Sequence, residues 1–174
     1  MTGTVMAAIN QYLQDTCSSA IGAFVYGSVA TGQAGPDSDV DCFVLLAEPE
    51  TAETMTQLRS AFAELQVHLG YTPDLAYPIE LFTVRQCEEA LDGSSVRRAI
   101  QQARTHGYTD PDLAASDEVE VLRALLGTRL TVRTCLQLDE LTDRAKNVVV
   151  EHLSIPGAPA EHTVLQALGV RTGG

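Results

Sequence analysis

The 174-residue chain has no tryptophan, and its aromatic content is only 5%. It holds one lysine, Lys146, against ten arginines, while Asp and Glu number 23, for a formal net charge of −12. A long phosphate-backbone footprint needs clustered Lys and Arg, so an extended nucleic-acid surface is not expected. The four cysteines (Cys17, Cys42, Cys87, Cys135) form no Cys-x-x-Cys pair, which gives no zinc spacing and no disulfide framework. They read as reduced thiols of a cytoplasmic protein. His68, His106, His152 and His162 make no His-Glu-x-x-His or comparable metal spacing. No apolar run approaches the roughly 18 residues that a membrane helix needs, and no secretory signal opens the chain. Walker A, the dinucleotide-binding glycine pattern and the Gly-x-Ser-x-Gly elbow are all missing, as are internal repeats.

What is present is a stretch from Ile21 to Leu46. Ile21–Tyr26 is a β-branched and aromatic run that ends at Gly27, as a buried strand ends. Gly27 permits close backbone approach or a positive φ, and Ser28 offers a hydroxyl and amides at the start of a helical turn, a phosphate cradle. Gly32, Gly35 and Pro36 then force a loop. A second strand opens with Asp39-Val40-Asp41 and runs to Leu46. Residues two apart on a strand share a face, so the two carboxylates project together and repel unless a cation lies between them. Mg²⁺ is commonly held by one or two carboxylates plus phosphate oxygens.

Tyr26-Gly27-Ser28, about ten residues, then Asp39-Val40-Asp41 preceded by Ser38: this pattern resembles the DNA polymerase beta-like nucleotidyltransferase superfamily. The resemblance implies that Gly27, Ser28 and Ser38 meet a nucleoside triphosphate, ATP by expectation, and that Asp39 and Asp41 hold Mg²⁺. It also implies a third acidic residue on a strand after the long helix. Glu80, in Ile79–Val84, stands there, and would complete a site for two ions as the third catalytic and metal-binding carboxylate. Asp74 is the alternative, although its proline-flanked turn accounts for an aspartate without catalysis. Many small members carry an arginine where this chain has Thr31. One of Arg85, Arg97, Arg98 and Arg104 could replace that charge.

Around this stretch the periodicity predicts helices. The first bears Val5, Ile9, Tyr12 and Leu13, with Thr4 as its cap. Thr51 caps a long second helix with Met55, Leu58, Phe62, Leu65 and Leu69 inward, stopped by Gly70. Further helices follow Thr83, Gly93 and Ser116, and one more carries Leu138 to Val148. The expected fold is α/β (α+β), a small mixed sheet flanked by helices. Residues 1–106 form the nucleotidyltransferase core, and residues 107–174 a helical extension packed on it. The expected reaction moves an NMP, AMP by expectation, from an NTP to a small-molecule hydroxyl with release of pyrophosphate. The alternatives are AMP transfer to a partner protein, as in toxin–antitoxin pairs, and a silent nucleotide- or partner-binding module. Homodimerisation is open.

Overall fold

The structure is a computed structural model describing residues 2–173. Helix α1 (Thr2–Thr16) leads into strand β1 (Ala20–Tyr26), the one-turn helix α2 (Gly27–Ala30), a loop, and β2 (Asp41–Leu46). Helix α3 (Ala52–His68) crosses over to β3 (Glu80–Thr83). Then come α4 (Val84–Asp92), α5 (Ser94–His106), α6 (Pro111–Ala114), α7 (Asp117–Leu126), β4 (Leu130–Arg133), α8 (Leu136–Leu153) and α9 (Glu161–Ala167). The sheet order is β3-β2-β1-β4, with β1 antiparallel to β2 and β4, and β2 parallel to β3. The fold is therefore the expected mixed sheet with helices. Among the described residues, no helix is long and apolar enough to cross a membrane.

The caps follow from sequence chemistry. Thr51 accepts the amide of Thr54 at 3.1 Å, and Ser116 accepts that of Val119 at 3.3 Å, each satisfying a helix N–H that has no partner within its own helix. Helix α1 begins at Thr2, ahead of the expected cap at Thr4.

Strand β4 is the element that the sequence reading passed over. Within residues 107–174, read from the sequence as a helical extension, Leu130–Arg133 adds an edge strand along β1. Only four residues long, with Leu130 and Val132 alternating with Thr131 and Arg133, it carries too short a period-2 signal to stand out.

Two compact units divide the chain: Met1–Val84 with Thr128–Cys135 and the last two residues, and Arg85–Gly127 with Leu136–Thr172. The first unit holds the whole sheet. One sheet face packs Ala23, Val25, Cys42, Val44, Leu46 and Leu81 against Val5, Ile9 and Leu13 of α1 and Leu58 and Phe62 of α3. Burial of this apolar surface drives the unit's folding. Tyr12 joins that core, its ring set edge-on to Phe62 and its hydroxyl donating to the Leu58 carbonyl at 2.8 Å.

The second unit is helical. Helices α5, α7, α8 and α9 contact one another in pairs, with Val96, Ile100, Leu122, Leu125, Leu141 and Val164 buried. Arg123 knits this unit together, donating to the Leu168 and Ala114 carbonyls at 3.0 Å each and pairing with Glu120.

Candidate active site

The strand period sorts the first unit's side chains. Because Ala23, Val25, Cys42, Val44 and Leu81 face the α1/α3 core, alternation turns Phe24, Tyr26, Asp41, Phe43, Leu45, Glu80 and Phe82 to the opposite face. Ring contacts agree: Phe24 stacks on Phe43 at 5.1 Å, Phe43 on Phe82 at 5.6 Å, and Phe24 meets Tyr26 edge-on at 5.9 Å. Asp41 and Glu80 are the acidic residues of that aromatic face, each opening its strand. Asp41 pairs with Tyr26, and Glu80 pairs with Phe43, two residues further along β2.

Asp39 lies outside the strand. The ladder of β2 starts at Asp41 because the Val40 amide is given to the Gln66 side chain, at 2.8 Å, rather than to a neighbouring strand. Val40 itself is buried in the α1/α3 core. Asp41, the next residue, opens β2 with its side chain turned away from that core, and Asp39 lies just ahead of the strand. All three carboxylate residues are half-buried.

Gly27 explains itself at this point. Its φ is +69°, a conformation costly for any residue with a Cβ. A Cβ built there would fall 3.0 Å from Asp41 Cγ and 3.3 Å from Asp41 Cβ, with the carboxylate oxygen closer still. The glycine thus holds open the space that the Asp41 carboxylate fills.

Ser28 follows on α2, half-buried, with its carbonyl accepting the Gln33 amide at 2.9 Å. Thr31 is buried, and its hydroxyl is directed at the carbonyls of Gly27 (3.2 Å) and Ser28 (3.4 Å). It closes the α2 turn and offers no charge. Ser38 fastens the loop: its hydroxyl accepts the Gly35 amide, and its own amide donates to the Gly35 carbonyl, both at 3.0 Å. Asp74 is exposed and accepts the amides of Ala76 (3.0 Å) and Tyr77 (3.3 Å), an Asx turn of the kind its proline-flanked setting predicts.

The arginines considered as substitutes for the missing charge belong to the second unit. Arg85 pairs with Glu89 at 3.0 Å on the surface, and Arg104 donates to the His152 carbonyl at 3.0 Å. On the aromatic face the sequence reading missed a different one. The Arg129 guanidinium stands 4.8 Å above the Phe24 ring, a cation–π contact. It directly precedes β4, outside any periodic element that would mark it in the sequence.

Among the described residues, no three or more His, Cys, Asp or Glu gather closely enough to hold a metal ion by themselves. The donor chemistry fits Mg²⁺ in its other mode. Asp39 and Asp41 would offer hard oxygen atoms from two residues, within the one or two carboxylates that Mg²⁺ takes when substrate phosphates complete its shell.

The sequence model of a nucleotidyltransferase domain matches residues 9–104. A comparison with curated proteins finds no match. Among solved structures, the chain is similar to a toxin–antitoxin crystal structure with AMP-PNP. The identity is 18%, with 84% of this chain and 86% of the other covered, at a TM-score of 0.43. It is also similar to the structure of a tri-AMPylated Shewanella oneidensis HEPN toxin in complex with MNT antitoxin. There the identity is 17%, with 87% of each chain covered, at a TM-score of 0.42.

Proposed function

From the premise that the chain belongs to the nucleotidyltransferase domain family, matched over residues 9–104, we propose that it transfers AMP from ATP to a hydroxyl of a small-molecule acceptor. The observation that carries the reading is the reserved space at Gly27. A positive-φ glycine at the end of β1 accommodates the Asp41 carboxylate, so the phosphate-binding turn and the acidic strand are built against each other.

In this reading Asp39 and Asp41 hold Mg²⁺ together with the triphosphate. Glu80, on the same face one strand over, serves the acceptor side and a second ion. The ions, when bound, supply charge neutralisation on the phosphates and on the attacking and leaving oxygens. Gly27 lets the backbone approach the triphosphate, and Ser28 and the α2 amides bind it. Ser38 keeps the loop closed so that Asp39 is presented at a fixed place. The acceptor oxygen bonds to the α-phosphorus, its proton is taken up on the Glu80 side, and the bond to the β-phosphate oxygen breaks to release pyrophosphate.

The acceptor assignment draws on charge. A body at −12 with one lysine offers no track for a polynucleotide. A second reading, AMP transfer to a partner protein, is favoured by Leu75 and Tyr77, which are 80% and 66% exposed on the segment running into β3. Two of the similar structures are toxin–antitoxin complexes, one of them tri-AMPylated, but at TM-scores of 0.43 and 0.42 they carry no acceptor assignment.

The test is titration of each nucleoside triphosphate with and without Mg²⁺, on wild type, Asp39→Asn and Asp41→Asn. Metal-dependent binding that favours ATP and vanishes in both variants, with folding intact, is the expected result. Equal binding in all three proteins would transfer the chain to the silent-module reading.

A further inference from the structure

Resting on the nucleotidyltransferase reading, we propose that Gln66 is a positioning residue, setting the segment that carries Asp39 and Asp41 against the segment that carries Glu80. Gln66 sits in the last turn of α3 and is 1% exposed. Its Oε1 accepts the Val40 amide at 2.8 Å, and its Nε2 donates to the Pro78 carbonyl at 2.8 Å. The partners fix the orientation of the carboxamide, because an amide N–H can only donate and a carbonyl can only accept.

The location of those partners gives the bridge its meaning. Val40 is the residue between the two aspartates, and Pro78 is two residues before Glu80. The β2–β3 ladder begins only at Phe43 and Glu80, so 40–42 and 78–79 lie ahead of it. The Gln66 carboxamide joins the two segments there as a peptide group of a third strand would, with one acceptor and one donor. Neither carboxylate-bearing segment can slide along the other without breaking a buried hydrogen bond, and a buried amide left without its partner is costly. Position matters for this chemistry, since a misplacement of about 1 Å can lower a rate by about 100-fold.

Gln66→Met keeps the side chain's length and removes both hydrogen bonds. Tyr12→Phe is the matched control: it removes another buried hydrogen bond of the same core, to the Leu58 carbonyl, and no hydrogen bond to either acidic segment. Both variants are expected to lower the melting temperature. Only Gln66→Met is expected to weaken Mn²⁺ affinity in the presence of a non-hydrolysable ATP analogue, by about tenfold in electron paramagnetic resonance titrations, and to lower kcat by about 100-fold. Gln66→Asn, too short to span both partners, gives the same comparison if Gln66→Met does not fold.

A Gln66 variant that matches wild type in Mn²⁺ affinity and kcat overturns the inference, as does a Tyr12→Phe variant that loses as much of both. Wild type that neither binds Mn²⁺ with the analogue nor turns over overturns the nucleotidyltransferase reading itself, and the positioning role falls with it.

Discussion

Gly27→Ala should do two separable kinds of damage. The first is conformational. At φ +69° an added Cβ crowds its own backbone, at a cost of about 1–2 kcal/mol. For a chain of this size that corresponds to a fall in melting temperature of roughly 2–8 °C. Gly32, at φ +76° with nothing within 4 Å of its would-be Cβ, should show this loss alone. The second is steric. The new methyl would occupy the place of the Asp41 carboxylate, whose Cγ would be 3.0 Å away, so the carboxylate must turn off its rotamer at a further cost of about 1 kcal/mol. Differential scanning calorimetry and isothermal titration of an ATP analogue with and without Mg²⁺, on both alanine variants, separate the two. Gly32→Ala should keep metal-dependent binding, and Gly27→Ala should lose it. In an Asp41→Ala background the cost of Gly27→Ala should shrink toward that of Gly32→Ala, because the carboxylate is gone and only the 3.3 Å contact with the residue 41 Cβ remains. If the two variants are equally destabilised and both bind nucleotide with Mg²⁺ as wild type does, the idea that Gly27 reserves space for Asp41 would be refuted.

The thiols and the missed strand give two further tests. Cys17, Cys42 and Cys87 are buried and Cys135 is half-exposed, so a thiol reagent near pH 8 should modify one cysteine in the native protein and four in urea. Burial, with Glu88 adding to it, pushes the Cys87 thiol up to about 12, and burial with Asp41 beside it pushes Cys42 up as well. Both thiols hold their protons more tightly when folded than when unfolded. Their stabilising contribution is therefore complete below the ordinary value of 9.0 and is lost as pH rises toward 12, so the urea midpoint should fall over that range and fall less in Cys87→Ala. The division at residue 106 is a proposal about the core, and a chain ended there tests it. Without β4, the β1 edge at Ala23–Val25 loses its partners, and size-exclusion chromatography should find self-association rather than a monomer.

The chain's pattern made the elements around Gly27 legible because each was written in strong local chemistry. Ile21–Tyr26 is too β-branched and apolar for anything but a buried strand, and Thr51, Gly70 and Ser116 punctuate helices by mechanisms that operate within a few residues. β4 was illegible for the converse reason. Four residues flanked by threonine and arginine form a strand only because β1 offers an open edge, a fact about another part of the chain. The same distinction explains the boundaries of β2. Asp39-Val40-Asp41 looks like continuous strand, but Val40 spends its amide on a side chain 26 residues away, and nothing local announces that.

The acidic positions were readable as types, and their support was not. A Ser-Asp-x-Asp pattern after Gly-Ser names its own candidates, and Glu80 was found as the odd carboxylate of an apolar run. Gln66 passed unnoticed because the period of α3 reads it as one more polar residue of a helix, whereas the fold buries it to 1% exposure. A buried carboxamide with both ends engaged is a commitment that an exposed face would not require. Its two partners lie in the segments leading to the aspartates and to Glu80, where Mg²⁺ chemistry would tolerate least movement. On the proposed reading, the residues of the reaction are thus a matter of short motifs, and the residue proposed to align them is a matter of topology: α3 must cross from β2 to β3, and its last turn passes both segments on the way.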